Sequence, residues 1–184
     1  MGESGSGKTT LLNILATLDK PTSGEILLDG KSLVHISDKE VSAFRRKNLG
    51  FVFQDFNLLD TFSLRDNIYL PLVLAGEDYR EMAQKIRPIA QALHITELLE
   101  KYPYEVSGGQ KQRTAIGVAA LRDAEVLIFD EPTSGLDYKN MESVAEILSA
   151  LSKRGKAILV ISHDNELLMK ICSRVIRVDE RTSS

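Results

Sequence analysis

Basic charge, cysteine and long apolar runs are all scarce in this sequence, and each scarcity excludes a class of protein. The 23 lysines and arginines are outnumbered by 26 acidic residues, for a formal net charge of −3, so a nucleic-acid-binding surface, which is normally basic, is not expected. The single cysteine excludes a disulfide framework and suits a reducing cytosol. No apolar run reaches the length of a membrane span and no signal peptide is recognisable, so we expect any membrane role to be peripheral, through a partner.

The composition is that of one globular domain with a sizeable core. Of the 184 residues, 43% are hydrophobic and 27% are charged, which is ordinary for a folded domain of this length. Apolar runs at 125–130 and 157–161 show no polar alternation and predict parallel strands that are buried on both faces. Helical patterns separate the strands, and polar residues follow their carboxyl ends. The sequence therefore predicts an α/β parallel sheet with its site along that edge.

Between residues 55 and 122, helical patterns replace the strand patterns. We therefore divide the single domain, residues 1–184, into a catalytic α/β core (1–54 and 123–184) and an inserted α-helical subdomain (55–122). The pattern further predicts a helix that buries Leu11, Ile14, Leu15 and Leu18, a helix at 63–74 that Pro71 bends or breaks, and strands at 25–29, 50–54 and 173–178.

The first ten residues contain a glycine-rich loop of the kind that binds phosphate. Gly2, Gly5, Gly7, Lys8 and Thr9 fit the pattern G-x-x-x-x-G-K-[ST] without a mismatch. Glycines let successive N–H groups point inward, and a helix that begins at Lys8 directs its positive dipole end to the same anion. Lys8 would then reach the β- and γ-phosphates, and the Thr9 hydroxyl would bind Mg²⁺. The alternative is a glycine-rich segment that merely caps a helix.

Two carboxylates follow the apolar strand 125–130. Asp130 is placed where phosphate-loop enzymes hold Mg²⁺, and Glu131 is free to orient or deprotonate a water for attack on the γ-phosphate. The alternative is an acidic strand end that starts a turn before Pro132.

A second glycine-rich helix start lies at Ser107-Gly108-Gly109-Gln110. If Ser107 caps a helix, the N–H groups around the two glycines can bind a phosphate as the first loop does. The alternative is a plain N-cap without a ligand. Two phosphate-binding helix starts in one chain need an explanation.

Six motifs in order make the chain resemble the nucleotide-binding domain of ATP-binding-cassette (ABC) transporters. Gly2–Thr9 matches the Walker A loop, and Gln54 matches the Q-loop. Val106–Gln110 matches the signature sequence, with valine where leucine is commoner. Val126–Glu131 matches Walker B with its adjacent glutamate. The two remaining matches are Ser134–Asp137 with the D-loop and His163 with the switch histidine.

This resemblance implies a P-loop NTPase fold, with a three-layer parallel sheet, and an ATPase that works as a head-to-tail dimer. Each ATP would lie between the Walker A loop of one chain and the signature of the other, which explains the two phosphate-binding helix starts. The implied catalytic residues are Glu131, which acts on the attacking water, His163 at the γ-phosphate, Gln54 and Lys8. The implied metal ligands are Thr9, Gln54 and Asp130. The implied nucleotide contacts are Gly2, Ser4, Gly5, Ser6, Gly7, Lys8, Thr9, Thr10, Ser107, Gly108, Gly109, Gln110 and Asp137. Of these, Asp137 would couple the two sites.

The two halves of the chain resemble different subfamilies. Residues 51–60 and 70–75 are similar to ATPases of bacitracin-type antimicrobial-peptide transporters from Gram-positive bacteria. Residues 130–141 are similar to ATPases of energy-coupling-factor importers, and residues 115–119 agree with that group because they lack an arginine that most transporter ATPases carry there. A mosaic joined near the signature is one interpretation.

The family also carries a β-subdomain before Walker A, with the strand that feeds the loop and an aromatic residue that stacks on adenine. We expect this N-terminal β-subdomain to be absent here. The resemblance implies ATP and Mg²⁺ as cofactors, a second ATPase subunit and a membrane permease as partners, no nucleic acid, and a place on the cytoplasmic face of the membrane. The alternatives are a truncated or chimeric cassette with impaired catalysis and a soluble ABC ATPase outside transport.

Overall fold

The computed structural model describes residues 7–28, 30–122 and 124–178, and the following helices and strands lie within them. In chain order they are α1 (Lys8–Leu15), β1 (Leu27–Leu28), β2 (Lys31–Ser32), α2 (Asp38–Asn48), β3 (Leu49–Val52), α3 (Leu64–Leu74), α4 (Tyr79–Ala92), α5 (Gly108–Leu121), β4 (Val126–Asp130), α6 (Tyr138–Lys153), β5 (Ala157–Ile161) and α7 (Asn165–Ile171). Single 3₁₀ turns at Thr96–Leu98 and Pro103–Glu105 join α4 to α5.

The core of the described chain is a three-stranded parallel sheet in the order β3-β4-β5. Leu49 pairs with Val126, and Val126 pairs in turn with Ala157. β4 lies in the middle of this sheet and is its most deeply buried strand, with Leu127, Ile128 and Phe129 all at most 1% exposed. The predicted parallel sheet is therefore confirmed.

Alternate residues of β4 face two different helical layers. Ile128 packs against Leu12 and Ala16, which lie on and just after α1. Leu127 and Phe129 belong to the larger cluster on the other face, which also contains residues of α3, α4, α5 and α6. The sheet is thus covered on both sides, which gives the predicted three layers.

Helices dominate the segment between β3 and β4. Ser63, Asp78 and Ser107 cap α3, α4 and α5 through their side chains, as expected for N-cap residues. The three helices meet at Gly117 of α5, where an added Cβ would lie 3.3 Å from Leu93 and 3.6 Å from Ile68. The close approach of α3 and the end of α4 depends on that missing side chain.

Two predictions about the helices differ from the structure in detail. α1 buries Leu12 and Ala16, whereas Leu11 and Leu18 are more than 40% exposed, because the face that meets Ile128 is rotated from the predicted one. Pro71 lies inside α3, so the predicted break is wrong, whereas a bend stays a prediction. The buried residues Leu64, Ile68 and Leu72 fix the helix on both sides of the proline.

The predicted strands near the two ends of the chain also differ. Residues 25–29 were predicted as one strand, but β1 and β2 form a short antiparallel hairpin, and Asp29 lies outside the described residues. Residues 173–178 have no regular secondary structure. β5 is only partly buried, because it pairs with β4 along one edge and is not a central strand in the described sheet.

Candidate nucleotide-binding site

The N-terminus of α1 begins at a glycine. Gly7 is the N-cap residue, adopts a left-handed conformation with φ +84° and has no side chain that could cap the helix. The first turn of a helix directs its N–H groups and its positive dipole end outward, where they can bind an anion. Lys8 is half-buried, while Thr9 and Thr10 are exposed. The remaining predicted loop residues, Gly2, Ser4, Gly5 and Ser6, lie outside the described residues.

Asp130 is the last residue of β4 and lies close enough to Lys8 for their charges to interact. Burial raises the pKa of Asp130, the neighbouring Glu131 raises it further, and Lys8 opposes both effects. The charged form of a carboxylate in these surroundings is stabilised by any nearby cation, because a positive charge offsets the free-energy cost of burial.

Glu131 is held through its main chain and its side chain. Its backbone is left-handed, with φ +50°. Its N–H donates to the Ile161 carbonyl at 2.8 Å, and its own carbonyl accepts from Gln112 Nε2 at 2.6 Å. The carboxylate accepts from Ser162 Oγ at 3.2 Å and lies 2.9 Å from His163 Nδ1. The ends of β4 and β5 are thereby joined across the site edge.

His163 directs one ring nitrogen at Glu131 and leaves most of its side chain, 76%, exposed. The hydrogen bond and charge of Glu131 raise the pKa of His163, and Asp164 adds to this, while burial and the charge of Lys8 oppose it. Asp164 caps α7 through Leu167 N–H and accepts from Thr133 Oγ1 at 3.3 Å. The loop that carries His163 is therefore fixed beside the loop that follows Glu131.

Gln54 lies exposed in the turn after β3, two residues beyond Val52. Since Val52 pairs with Phe129, this turn begins at the same edge of the sheet as Asp130.

The N-terminus of α5 is a second exposed helix start. Ser107 and Gln110 form a reciprocal capping box: Ser107 N–H donates to Gln110 Oε1 at 2.9 Å, and Gln110 N–H donates to Ser107 Oγ at 3.3 Å. A Cβ added to Gly108 would meet nothing within 4 Å, whereas one added to Gly109 would lie 2.9 Å from Leu136. Gly108 thus leaves open space at a helix N-terminus.

Asp137 caps α6 by accepting from Asn140 N–H at 2.9 Å, and it is exposed. Burial lowers the pKa of Arg113 on α5, and the charge of Asp137 opposes that effect. Asp137 therefore lies within electrostatic reach of the helix that begins at Ser107.

The structure brings Lys8, Asp130, Glu131 and His163 to one edge, whereas the hydrogen bonds of Ser107 and Asp137 stay within their own helices. Sequence reasoning missed three contacts of this edge, made by Gln112, Ser162 and Thr133. Ser162 could have been found from its place beside His163 at a strand end. Gln112 gives no signal, because it is one polar residue in a helix.

The oxygen atoms at this edge are of the kind that binds a hard cation which is also coordinated by phosphate. No group of three His, Cys, Asp or Glu side chains within the described residues could hold a metal ion. The oxygen donors predicted from the sequence are the Asp130 carboxylate, the Thr9 hydroxyl and the Gln54 amide, and this set stays a prediction. Mg²⁺ is commonly bound in this way, by one or two protein ligands together with substrate phosphates and water.

Comparison with known proteins gives consistent matches. Residues 1–134 match a family model described as ABC transporter. The chain is 46% identical over 181 residues to the ABC transporter ATP-binding protein YxdL of Bacillus subtilis, covering 98% of this chain and 70% of that protein. It is 39% identical over 180 residues to the bacitracin export ATP-binding protein BceA of Halalkalibacterium halodurans, covering 98% and 71%.

A solved structure is similar in both fold and sequence. It is a dimer of the ATP-binding cassette MJ0796 in a post-hydrolysis state with ADP and Pi, with a TM-score of 0.84 and 33% identity, covering 92% of this chain and 75% of that one. The match to a bacitracin export protein agrees with the predicted resemblance of the first half, while the resemblance of the second half to energy-coupling-factor ATPases stays a prediction. Among the described residues, no helix is long and apolar enough to cross a membrane.

Proposed function

The chain belongs to the ABC transporter family as an ATP-binding subunit, and from that premise we propose that it hydrolyses ATP in a head-to-tail dimer to power transport through a membrane permease. The observation that carries the proposal is the placement of Glu131, whose carboxylate is held by Ser162 and His163 beside the half-buried Asp130. We place the subunit on the cytoplasmic face of the membrane, bound there through the permease.

ATP binding rests on the phosphate loop. The uncapped first turn of α1 supplies N–H groups to the phosphates, and Lys8 supplies a positive charge. Gly2, Ser4, Gly5 and Ser6 complete the loop in this proposal. Thr9, Gln54 and Asp130 are the oxygen ligands for Mg²⁺, which would neutralise charge that develops on the transferred phosphoryl group.

Hydrolysis rests on Glu131 and His163. Glu131 accepts a proton from the attacking water, since its carboxylate is fixed at the carboxyl end of β4 and points toward β5. His163 uses Nδ1 in its contact with Glu131 and is mostly exposed, so its other ring nitrogen can donate to a γ-phosphate while this contact is kept. Both residues act by position, which is the main contribution of proteins to phosphoryl transfer.

The dimer accounts for the second helix start. The capping box engages the N–H groups of Ser107 and Gln110, so a phosphate would bind to the N–H groups of Gly108 and Gly109, and Gly108 faces open space. In the head-to-tail arrangement this helix end receives the γ-phosphate of the ATP on the partner's Walker A loop. Asp137 lies beside the same interface and links the two sites, and Gln54 contacts the permease.

Mixing two inactive variants tests the arrangement directly. Lys8→Ala removes the charge of the phosphate loop, and Gly108→Asp places a carboxylate in the open space at the start of α5, where it repels phosphate. Neither variant alone forms a working site. A mixed dimer has one site that combines the intact phosphate loop of one chain with the intact signature of the other.

We expect the mixture to recover ATPase activity that neither variant has alone. About half of randomly paired dimers are mixed, each with one intact site, so the mixture should show about a quarter of the unmodified activity. The matched control for dilution is an equal mixture of the unmodified chain with the double variant Lys8→Ala/Gly108→Asp. No recovery in the mixture, with both variants folded by circular dichroism, would rule out sites shared between chains.

A further inference from the structure

Gln112 makes a contact with the catalytic edge that the proposed function does not use. Its Nε2 donates to the carbonyl oxygen of Glu131 at 2.6 Å, and the side chain is only 3% exposed. The orientation of the amide is determined by its partner, because a carbonyl oxygen accepts only from the NH₂ group. This contact joins the second turn of α5 to the residue after β4.

We propose that Gln112 is a positioning residue for Glu131: its hydrogen bond holds the main chain that aims the catalytic carboxylate, and it ties that carboxylate to the signature end of α5. The proposal rests on the role of Glu131 given above. Gln112 touches neither the nucleotide nor the attacking water, so it acts only through Glu131.

The main-chain conformation of Glu131 is the first argument. A non-glycine residue with φ +50° is in a sparsely populated region, and such a conformation persists only when the surrounding structure holds it. The hydrogen bond from Glu131 N–H to Ile161 fixes one side of the residue, and on the other side its carbonyl accepts from Gln112 Nε2 at 2.6 Å and from Ser134 N–H at 3.1 Å. Removing the Gln112 bond leaves the carbonyl held only by its own turn, so the constraint from α5 is lost.

The cost of burying Gln112 is the second argument. Its Oε1 is buried with no hydrogen-bond partner in the described structure, and an unpaired buried acceptor is unfavourable. An apolar side chain of the same length would avoid that cost on this helix. The unpaired Oε1 is therefore a local cost of having a glutamine here, and the hydrogen bond that its amide donates goes to the residue that carries the reaction.

The position of Gln112 on α5 is the third argument. Gly108 and Gln110 lie on the first turn of the same helix, where the proposed dimer places the partner's γ-phosphate. A shift of this helix end on phosphate binding would move Gln112 and, through it, Glu131. Each chain would then adjust its own catalytic carboxylate according to whether its signature is occupied.

Gln112→Met tests the positioning role while it preserves packing. Methionine has a similar length but no donor, so the variant loses the bond to Glu131 together with the unpaired Oε1. We expect kcat to fall roughly ten- to hundredfold with KM for ATP–Mg²⁺ unchanged, because a small displacement of a reacting group costs that much. We expect the melting temperature to stay the same or to rise. A structural role alone would lower both activity and melting temperature.

A readout without turnover separates this proposal from the proposed function. Glu131 raises the pKa of His163, so displacement of Glu131 in Gln112→Met should lower the pKa of His163, measured by NMR titration of the unliganded full chain. This result is expected even if the unmodified chain proves to have no ATPase activity, which would overturn only the proposed function. An unchanged His163 pKa would overturn the role of Gln112.

Lys156→Met is the matched control. Lys156 Nζ donates to the Ala124 carbonyl, also at 2.6 Å, but at the opposite end of the sheet. Loss of this bond should leave kcat and the pKa of His163 unchanged. Equal losses of kcat in Lys156→Met and Gln112→Met would contradict the proposal, since the effect would then follow from general loosening of the sheet.

Discussion

Two adjacent carboxylates at the end of β4 have different surroundings and therefore different chemistry. Asp130 is half-buried, and its pKa is raised by burial and by Glu131. Glu131 accepts hydrogen bonds and lies beside His163. Different environments can divide the work of two neighbouring acids: here Asp130 suits a cation and Glu131 suits a water.

Replacing Lys8 tests the phosphate loop at the scale of one residue. Lys8→Ala should weaken the binding of ATP–Mg²⁺ by roughly ten- to a hundredfold, because a hydrogen bond to a charged group contributes about 1.5–3 kcal/mol. Isothermal titration calorimetry measures this directly. Lys111→Ala, which removes a lysine of α5 outside the proposed sites, is the control and should bind normally. Equal affinity of the Lys8 variant and the unmodified chain would contradict the assigned role.

The pair of Glu131 and His163 predicts a pH dependence. The pKa of His163 is raised from its ordinary value of 6.5, so the ion pair stabilises the fold fully below about pH 6.5 and is lost as the pH rises through the raised folded-state value. The effect on stability is small, since the ring is mostly exposed.

Glu131→Gln should return the pKa of His163 toward 6.5 in an NMR titration, because the neutral amide no longer favours the charged ring. A His163 pKa that is the same in both proteins would mean that the two side chains are not paired in solution.

At the scale of the element, the N-terminus of α5 predicts opposite changes in stability and activity. Gly108→Ala adds a methyl group that meets nothing within 4 Å, and alanine favours a helix over glycine by up to about 1 kcal/mol. The free chain should therefore melt at the same or a higher temperature. The methyl group would nevertheless obstruct close approach of the partner's phosphate, so ATPase activity should fall several-fold.

Thermal melts and steady-state ATPase assays on the same preparation check this prediction. Gly50→Ala is the contrasting control: its Cβ would lie 2.4 Å from Leu127 in the core, so it should lower stability first. Full activity of Gly108→Ala would mean that no phosphate reaches this helix end.

The helices and strands show which local features can be predicted from sequence patterns alone. Ser37 and Glu40 form a capping box at the start of α2, and their spacing alone is enough to indicate it, since the motif depends only on residues three positions apart. The prediction of the buried face of α1 was wrong because the helix has apolar residues at 11, 12, 14, 15, 16 and 18, which allow more than one apolar face. Only contact with Ile128 selects the face with Leu12 and Ala16. The strand at 173–178 was wrong because strand formation needs a partner, which periodicity does not provide.

The residues of the site can likewise be divided into those that the sequence predicts and those that it does not. Its motif residues could be predicted from spacing, and Lys8, Asp130, Glu131 and His163 do come together. Gln112 and Thr133 could not be predicted, because their contacts reach Glu131 and Asp164, which are distant along the chain, and depend on how the helices pack on the sheet. The left-handed backbone of Glu131 is also imposed by its neighbours and is not a preference of glutamate.

At the scale of the whole molecule, ligand binding should couple stability to dimerisation. In Glu131→Gln, which should bind ATP without turnover, ATP–Mg²⁺ at a hundred times its Kd should stabilise the fold by about 2.7 kcal/mol and raise the melting temperature by about 5–10 °C. The melting temperature should also rise with protein concentration, but only with ATP present.

Differential scanning calorimetry at two protein concentrations measures both effects. Lys8→Ala/Glu131→Gln is the control: with binding weakened ten- to a hundredfold, the same ATP concentration should stabilise it by only about 0.4–1.4 kcal/mol, and both effects should be correspondingly smaller. A shift that is independent of protein concentration would indicate that each chain binds ATP alone, against the shared sites.

The pairing of β3 with β4 also determines when the sheet can assemble during synthesis. Leu49 must find Val126, and about 4–15 s pass between the emergence of these two residues at ribosomal rates. The intervening helices α3, α4 and α5 carry their own caps and pack on one another, so they can form first. Meanwhile β3 exposes an unpaired apolar strand edge, which makes the nascent chain prone to aggregation. The nascent chain is therefore most vulnerable until β4 emerges, and a chaperone that binds the stretch around Phe51 would protect it in that interval.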